Sequence, residues 1–180
     1  MVGENNYSNG IADNEWQCLQ KMTMLLKHSG ARTPTLREIE ESDAILILGE
    51  DITQTAARMA LAVRQAVKGK ARQKAAEMKV DVWQVAAINN IGQHDRFPLY
   101  LSSTDSTRLD DVATLKYHAD YVDQARLGFA VAHLLDKNSP AVPDADDSLM
   151  HTAKLIADGL AKAKKPLIIT GCSSETPALL

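Results

Sequence analysis

The chain has 180 residues, of which 45% are hydrophobic and 24% charged, the composition of an ordinary globular protein with one core. A net charge of −3 and an aromatic content of 4% argue against a nucleic-acid-binding protein and against an interfacial membrane belt. No apolar run is long enough to span a bilayer, and the N-terminus lacks the features of an export signal. We therefore expect a soluble domain inside the cell.

Cysteine and histidine residues are too scattered to predict a metal site. Cys18 and Cys172 are far apart and neither belongs to a CxxC, so we interpret them as two buried, reduced thiols. The motifs GxGxxG, GxxxxGK[ST], HExxH and GxSxG are absent. The five histidines, at positions 28, 94, 118, 133 and 151, show no metal-ligand spacing.

The N-terminal part predicts a loop followed by a helix. Residues 1–13 are polar and are interpreted as a loop or as the ragged start of a fragment. Asp13 or Asn14 is placed to cap a helix that runs to about His28 and ends at Gly30. Its predicted apolar stripe consists of Cys18, Leu19, Met22, Leu25 and Leu26.

The next stretch predicts extended backbone and then one helical turn. Residues 33–35 read Thr-Pro-Thr, and Leu36–Glu41 is interpreted as a single turn that leads into the following strand.

The stretch from Ser42 to Gly69 predicts a strand, a loop and a helix. Ala44–Leu48 is a short apolar run closed by Gly49, which is typical of a strand buried on both faces in a parallel sheet. Glu50–Thr55 is polar and predicts a turn, at the place where open α/β sheets bind ligands. A helix with a stripe at Met59, Val63 and Val67 is expected from Thr55 to a stop at Gly69.

The middle of the chain predicts a basic helix and a second strand. Lys68–Lys79 is either a phosphate or nucleic-acid patch or, as we favour, a solvated helix surface, because no aromatic residue is interleaved. Asp81–Ile91 is interpreted as a short helix ended by Gly92. Leu99–Leu101 predicts a second parallel strand, followed by the polar segment SSTDSTRLDD.

Three further elements are expected before residue 136. Leu109–Ala113 predicts a short helix and Leu115–His118 an edge strand. Asp120, with Asp123 three residues on, resembles a capping box for a helix over Val122–Leu135, whose apolar sequence on nearly all sides predicts burial. His133 in that helix is either a hydrogen-bonded core residue, as we favour, or a ligand.

The C-terminal part predicts a linker, a helix and a third strand. Asn138–Asp147 is linker-like, with two prolines and several acids. The helix after it has a stripe at Leu149, Ala153, Ile156 and Leu160. Leu167–Thr170 predicts a third buried strand, ending at Gly171. Because no helix follows to cover that strand, we expect the chain to be cut from a longer polypeptide.

Together these elements predict an α/β fold with three layers, Rossmann-like, with a mostly parallel sheet and one domain over residues 1–180. Glu50 and Asp51 are adjacent carboxylates at a strand end. They are interpreted either as acid/base or divalent-cation ligands or, as we favour, as turn residues beside a helix N-terminus. The serine, threonine and aspartate residues of SSTDST are interpreted as cap and turn formers.

Four segments together resemble one family. They are VGENNYSNGIADNEWQ, TPTLREIEESDAILILGEDITQTAARMALAVRQAVKGKAR, STDSTRLDDVA and DQARLGFAVAHLL. They resemble the G subunit of bacterial respiratory NADH:quinone oxidoreductase (complex I), in its C-terminal region. That region is similar to molybdopterin-dependent oxidoreductases such as formate dehydrogenase. The resemblance covers essentially the whole chain from Val2.

The relatives that carry molybdenum hold a guanine dinucleotide with GxNP after the first strand and VDPRxTxT after the second. Here the first loop begins Gly49, Glu50, Asp51 and the second runs Ser102–Thr107, so Ser103 replaces the guanine-binding aspartate and Asp105 replaces the arginine. Carboxylates at a pyrophosphate site disfavour binding. The resemblance therefore implies a vestigial site at Gly49, Glu50, Asp51, Ser103, Asp105 and Gly171.

The resemblance implies a parent enzyme that passes electrons from NADH through flavin and iron–sulfur clusters to quinone and pumps protons. None of the cluster cysteine motifs is present here, so the clusters are expected outside this chain. We expect a scaffold, without metal or cofactor, that packs against the cluster-bearing N-terminal part and neighbouring peripheral-arm subunits on the cytoplasmic face of the membrane. The alternatives are a domain that still binds a nucleotide or molybdopterin guanine dinucleotide, and a nucleic-acid module at Lys68–Lys79.

Overall fold

Four parallel strands in the order β3-β2-β1-β4 form the central sheet. A computed structural model describes Gly3, Asn6, Ser8 and residues 10–180. The strands are β1 (Ala44–Leu48), β2 (Leu99–Ser103), β3 (Leu115–His118) and β4 (Pro166–Thr170). The helices are α1 (Asp13–His28), α2 (Leu36–Ile39), α3 (Ile52–Thr55), α4 (Ala57–Val67), α5 (Gly69–Glu77), α6 (Val85–Ile91), α7 (Tyr121–Leu135), α8 (Asp147–Lys162) and a 3-10 helix (Pro177–Leu179).

Strand β1 is the centre of the fold because it has a parallel neighbour on each side. Ile45 pairs with Leu99 of β2 and with Leu167 of β4. Ile45 and Ile47 face one core, which includes Val63 of α4, and Leu46 faces the other, which α7 and α8 cover. Every residue of β1 is buried, as its uninterrupted apolar sequence predicts. The predicted three-layer α/β architecture is confirmed.

The region after β1 differs from the single predicted helix. Ile52–Thr55, predicted as a turn, forms the helical turn α3, and the backbone breaks at Ala56 (φ −146°, ψ 60°) before α4 begins. Helix α4 ends at Val67, next to the predicted stop, but Gly69 is not a left-handed C-terminal residue and opens α5. Gly69 serves close packing instead, since a Cβ there would lie 3.0 Å from the ring of Phe97.

Two further predicted elements need correction. Residues 108–112 form turns rather than a helix, and the Asp110 carboxylate accepts the Thr107 N–H at 2.8 Å, a local bond that competes with helix formation. Strand β4 is an edge strand rather than a buried one, and Ile168 is 56% exposed. A short apolar run does not distinguish a central strand from an edge strand. The predicted edge position of Leu115–His118 is confirmed.

Helix α7 is buried on one side only, so its predicted burial all round is wrong. Val122 is 66% and Phe129 43% exposed, because α8 and the sheet cover only the opposite side. His133 is half-buried, and its Nδ1 lies 2.7 Å from the Ser139 carbonyl oxygen, which confirms the hydrogen-bonded interpretation. Asp120 caps α7 by accepting the Asp123 N–H at 2.9 Å, while the Asp123 carboxylate pairs with Arg126 instead of completing a box.

Helix α1 has the predicted length but not the predicted packing. Cys18 is its one buried residue among those described, so the rest of the predicted stripe is not core. Its N-cap is Ala12, without a side-chain bond, rather than Asp13 or Asn14. The predicted loop before it falls partly on residues 1, 2, 4, 5, 7 and 9, which lie outside the described part of the chain.

Other predictions agree with the structure in kind. The four stripe residues of α8 are all buried, and Asp146, in the linker-like stretch, caps that helix through the Leu149 N–H at 3.0 Å. Helix α6 ends at Gly92 as predicted but begins only at Val85. A capping box in α2, with Thr35 and Glu38 bonded reciprocally, was not predicted. No helix among the described residues has the length and apolarity required to cross a membrane.

The two cysteines come together although they are far apart in sequence. Cys18 is fully buried and Cys172 half-buried, and both are free. Burial raises the pKa of the Cys172 thiol, and the neighbouring Cys18 thiol raises it further. The prediction of free thiols is confirmed, and full burial is confirmed for Cys18 alone.

Candidate functional site at the carboxyl edge of the sheet

The loops after β1 and β2 and the turn after β4 meet at the carboxyl edge of the sheet and enclose a cavity of about 280 Å³. This is the edge where open parallel sheets bind ligands. Five of the six predicted site residues line the cavity, and Gly171 lies directly behind Glu50. The lining consists of Gly49, Glu50, Asp51, Gln54, Thr55, Ser103, Thr104, Asp105, Ser106, Thr107, Tyr121 and Ser173.

Gly49 and Glu50 close the end of β1 by tight packing. Gly49 has φ +70°, and a Cβ there would lie 2.5 Å from Leu179 of the C-terminal 3-10 helix. The Glu50 side chain is buried; its Oε1 accepts a hydrogen bond from Thr55 Oγ1 at 2.7 Å, and its Oε2 accepts one from the Ser173 hydroxyl. Both carboxylate oxygens of Glu50 are therefore engaged with the protein itself.

Asp51 acts as the N-cap of α3. Its Oδ1 accepts the Thr53 N–H at 2.9 Å and the Thr53 hydroxyl at 2.6 Å. Carboxylates are favoured at this position because they satisfy helix N–H groups that have no partner within the helix. The interpretation of Asp51 as a residue beside a helix N-terminus is confirmed.

A chain of hydrogen bonds joins Ser103 to His118 and Asp110. Ser103 Oγ lies 3.1 Å from His118 Nδ1, and His118 Nε2 lies 3.0 Å from Asp110 Oδ2. The Ser103 hydroxyl has one hydrogen and donates it to the Asp105 carbonyl oxygen at 2.7 Å. That hydrogen is therefore not available to His118 Nδ1, whereas a serine nucleophile must donate to its histidine. The hydrogen-bonded side chains of Ser103, His118 and Asp110 hold the loop 104–114 against β3. They are not arranged for acyl transfer.

The Asp110 carboxylate is the anionic end of this series of hydrogen bonds. Burial by itself raises the pKa of its carboxyl group, but hydrogen bonds from the Thr107 N–H, the Thr107 hydroxyl and His118 outweigh burial and leave the pKa below its usual value. Local sequence patterns did not identify His118 and Asp110 as parts of the site. The signal that could have found His118 is the parallel pairing of β3 with β2, which places it opposite Ser103.

The electrostatic character of the cavity is acidic. Glu50, Asp51 and Asp105 contribute carboxylates, and the described residues that line the cavity include no lysine or arginine. The lining offers hydroxyl groups, an amide and backbone groups, but no cationic partner for a pyrophosphate, so it does not fit an anionic dinucleotide. Within the described part of the chain, no cluster of three or more His, Cys, Asp or Glu side chains could hold a metal ion.

The parallel sheet, the helices on both its faces and the loops at its carboxyl edge define an α/β protein of the Rossmann-like class. No protein-family model matches the chain. It is 56% identical over all 180 residues to the NADH-quinone oxidoreductase G subunit of Shewanella oneidensis and 57% identical over 179 residues to that of Yersinia pestis. It is 55% identical over 174 residues, 97% of the chain, to that of Escherichia coli strain K12.

The chain spans about one fifth of the length of these relatives: 20% of the first two and 19% of the third. The chain belongs to the family of NADH-quinone oxidoreductase G subunits and corresponds to one segment of such a subunit.

Proposed function

We propose that this chain is a scaffolding segment of an NADH-quinone oxidoreductase, with a vestigial cofactor site. The supporting observation is the contrast between the core and the cavity. Buried apolar layers cover both faces of β1, whereas the described residues that line the cavity at the ligand-binding edge include three carboxylates and no cation. A segment kept for packing preserves its core and tolerates the loss of its ligand contacts.

In this proposal the parent complex transfers electrons from NADH to quinone, coupled to proton translocation, through flavin and iron–sulfur clusters outside this chain. The segment itself carries out no chemical step. It packs the cluster-bearing part of the same subunit and holds neighbouring subunits of the peripheral arm, on the cytoplasmic face of the membrane. The support is the 55–57% identity to the G subunits of three bacteria over nearly the whole chain.

Deletion tests the scaffold role. We expect a full-length subunit that lacks this segment to lose assembly of the arm, with a matching loss of NADH-to-acceptor electron transfer. A control subunit with Asp105→Ala and Ser106→Ala changes only exposed residues that line the cavity and should assemble normally. Unchanged assembly and electron transfer in the deletion variant would overturn the proposal.

The rival function is binding of a nucleotide or of molybdopterin guanine dinucleotide, and the observation that favours it is the cavity of about 280 Å³ at the expected edge. Mass spectrometry of small molecules released from the denatured complex, with a molybdenum assay on the same sample, separates the two. We expect neither a guanine nucleotide nor a pterin assignable to this segment. Either one at near-stoichiometric yield, lost when the exposed lining residue is changed by Ser106→Trp, would establish the rival.

A further inference from the structure

The turn before α6 and the first residue of that helix carry three exposed apolar side chains that the fold does not bury. Val82 is 79%, Trp83 77% and Val85 61% exposed. Single exposed apolar residues are ordinary, but three within four positions form a patch of the kind that marks interaction sites. Tryptophan is also among the residues that contribute most binding energy at protein interfaces.

A groove of about 560 Å³ lies beside this group, between α5 and α6. Its floor is fixed by close helix packing, because a Cβ on Gly92 would lie 2.0 Å from the Ala71 Cβ and 2.7 Å from its Cα. Ala71 and Ile88 are buried beneath it. The groove is therefore preformed, which reduces the entropic cost of binding.

The rim of the groove is basic although the whole chain has a net charge of −3. Lys68, Arg72 and Arg96 line it and are not buried. The one acid among the described lining residues, Asp95, is already paired with Lys74 at 2.7 Å and lies 3.8 Å from Lys70. The local charge excess favours an anionic partner.

We propose that this α5–α6 surface, formed by Lys68, Arg72, Arg96, Val82, Trp83 and Val85, binds an acidic segment of another polypeptide, with an apolar side chain of that segment against Trp83. The occupant is a protein because the apolar residues form half of the surface and Trp83 is its one aromatic residue, too little for successive base stacking. The inference rests on the proposed scaffold role, since that role supplies the neighbouring subunit.

Photo-cross-linking identifies the partner directly. A photoreactive phenylalanine analogue replaces Trp83 in the full-length subunit, and the assembled complex is irradiated and analysed by peptide mass spectrometry. We expect a cross-link to a segment of a different subunit that carries several Asp or Glu residues. A cross-link confined to the subunit that contains Trp83, to a second copy of it or to nucleic acid, or no cross-link, would overturn the proposal.

Charge reversal supplies the second test. Lys68→Glu with Arg72→Glu should reduce capture of the cross-linked partner at least tenfold, and Asp/Glu→Lys changes in the partner segment should restore it. The matched control, Lys162→Glu with Lys164→Glu, makes the same charge change at exposed positions at the end of α8 and should leave capture unchanged. Equal capture by both variants would refute the proposed binding surface. If deletion of the whole segment still abolishes assembly in that case, the scaffold role remains supported independently of this surface.

Discussion

The Glu50 carboxylate lies where the side chain of residue 171 would be: a Cβ added to Gly171 stands 2.2 Å from Glu50 Oε2 and 2.7 Å from its Cδ. This contact couples the loop after β1 to the turn after β4, although the two are distant in sequence. Ser173 reinforces the coupling with a hydrogen bond to the same carboxylate oxygen. The Glu50 side of the cavity is therefore part of the packing of the sheet edge.

Gly171→Ala is expected to destabilise the protein by about 1–3 kcal/mol, because the displaced Glu50 carboxylate loses hydrogen bonds in a buried position. Urea denaturation measures the loss. In a Glu50→Ala background the same substitution should cost less than about 0.5 kcal/mol, since the colliding group is gone. An equal cost in both backgrounds would show that the Glu50 contact is not the cause.

Gly159→Ala in α8 is expected to destabilise although Gly→Ala in a helix normally stabilises by about 1 kcal/mol. The added Cβ would lie 1.8 Å from the Tyr100 hydroxyl and 2.7 Å from its Cζ, and Tyr100 is buried, so overpacking should cost about 1–3 kcal/mol net. Thermal unfolding of the Gly159→Ala variant shows whether the substitution lowers or raises the stability.

The matched control for that substitution is Gly128→Ala in α7. Its added Cβ meets only the end of the flexible Leu48 side chain, with Cδ2 at 2.7 Å and the next atom at 3.7 Å. We therefore expect Gly128→Ala to be better tolerated than Gly159→Ala. The reverse order would contradict the packing described for Tyr100.

Ser102→Ala is expected to cost about 1–3 kcal/mol, because it leaves a buried acceptor without its donor. Ser102 Oγ donates to Gln124 Oε1 at 3.0 Å, and both residues have zero exposure. Chemical denaturation measures the change. Ser106→Ala, at an exposed serine on the loop that follows β2, should remain within about 0.5 kcal/mol of the parent protein. Equal effects of the two would argue against the buried pair as the cause.

The Asp110 carboxyl group should titrate below its usual value of 3.8, and Thr107→Val should raise the pKa because it removes the hydroxyl donor at 3.0 Å. Carboxyl ¹³C NMR titration reads both values. A pKa depressed in the folded state stabilises the protein above the unfolded pKa, and the contribution disappears as the pH falls through the folded pKa. A folded-state pKa at or above 3.8 would contradict the hydrogen bonds assigned to Asp110.

The two thiols should react slowly with a thiol-specific chromophoric disulfide in the native protein. Burial, then proximity to Cys18, raises the pKa of Cys172 and so lowers its thiolate fraction, while Cys18 is fully buried. We expect Cys172 to react first, and a Cys172→Ser variant to react only on unfolding. Rapid native-state labelling of that variant would show that Cys18 is accessible.

Local sequence patterns determined much of the fold. The uninterrupted apolar run of β1, the stripe of α8 and the polar loops at strand ends are each specified by neighbouring residues, so their type and the edge where the loops meet could be predicted. Five of the six site residues that the family resemblance implies do line one cavity. The family that the sequence resembles agrees with the relatives found.

Tertiary structure decided everything that depends on which surfaces meet. Periodicity could not show that β4 lies at an edge, that α7 is covered on one side, or that Gly69 makes room for Phe97. Nor could it place His118 beside Ser103, because strand register brings together residues that no local pattern relates. Burial and hydrogen-bond partnership are properties of pairs of distant segments, whereas propensity and periodicity are properties of one segment.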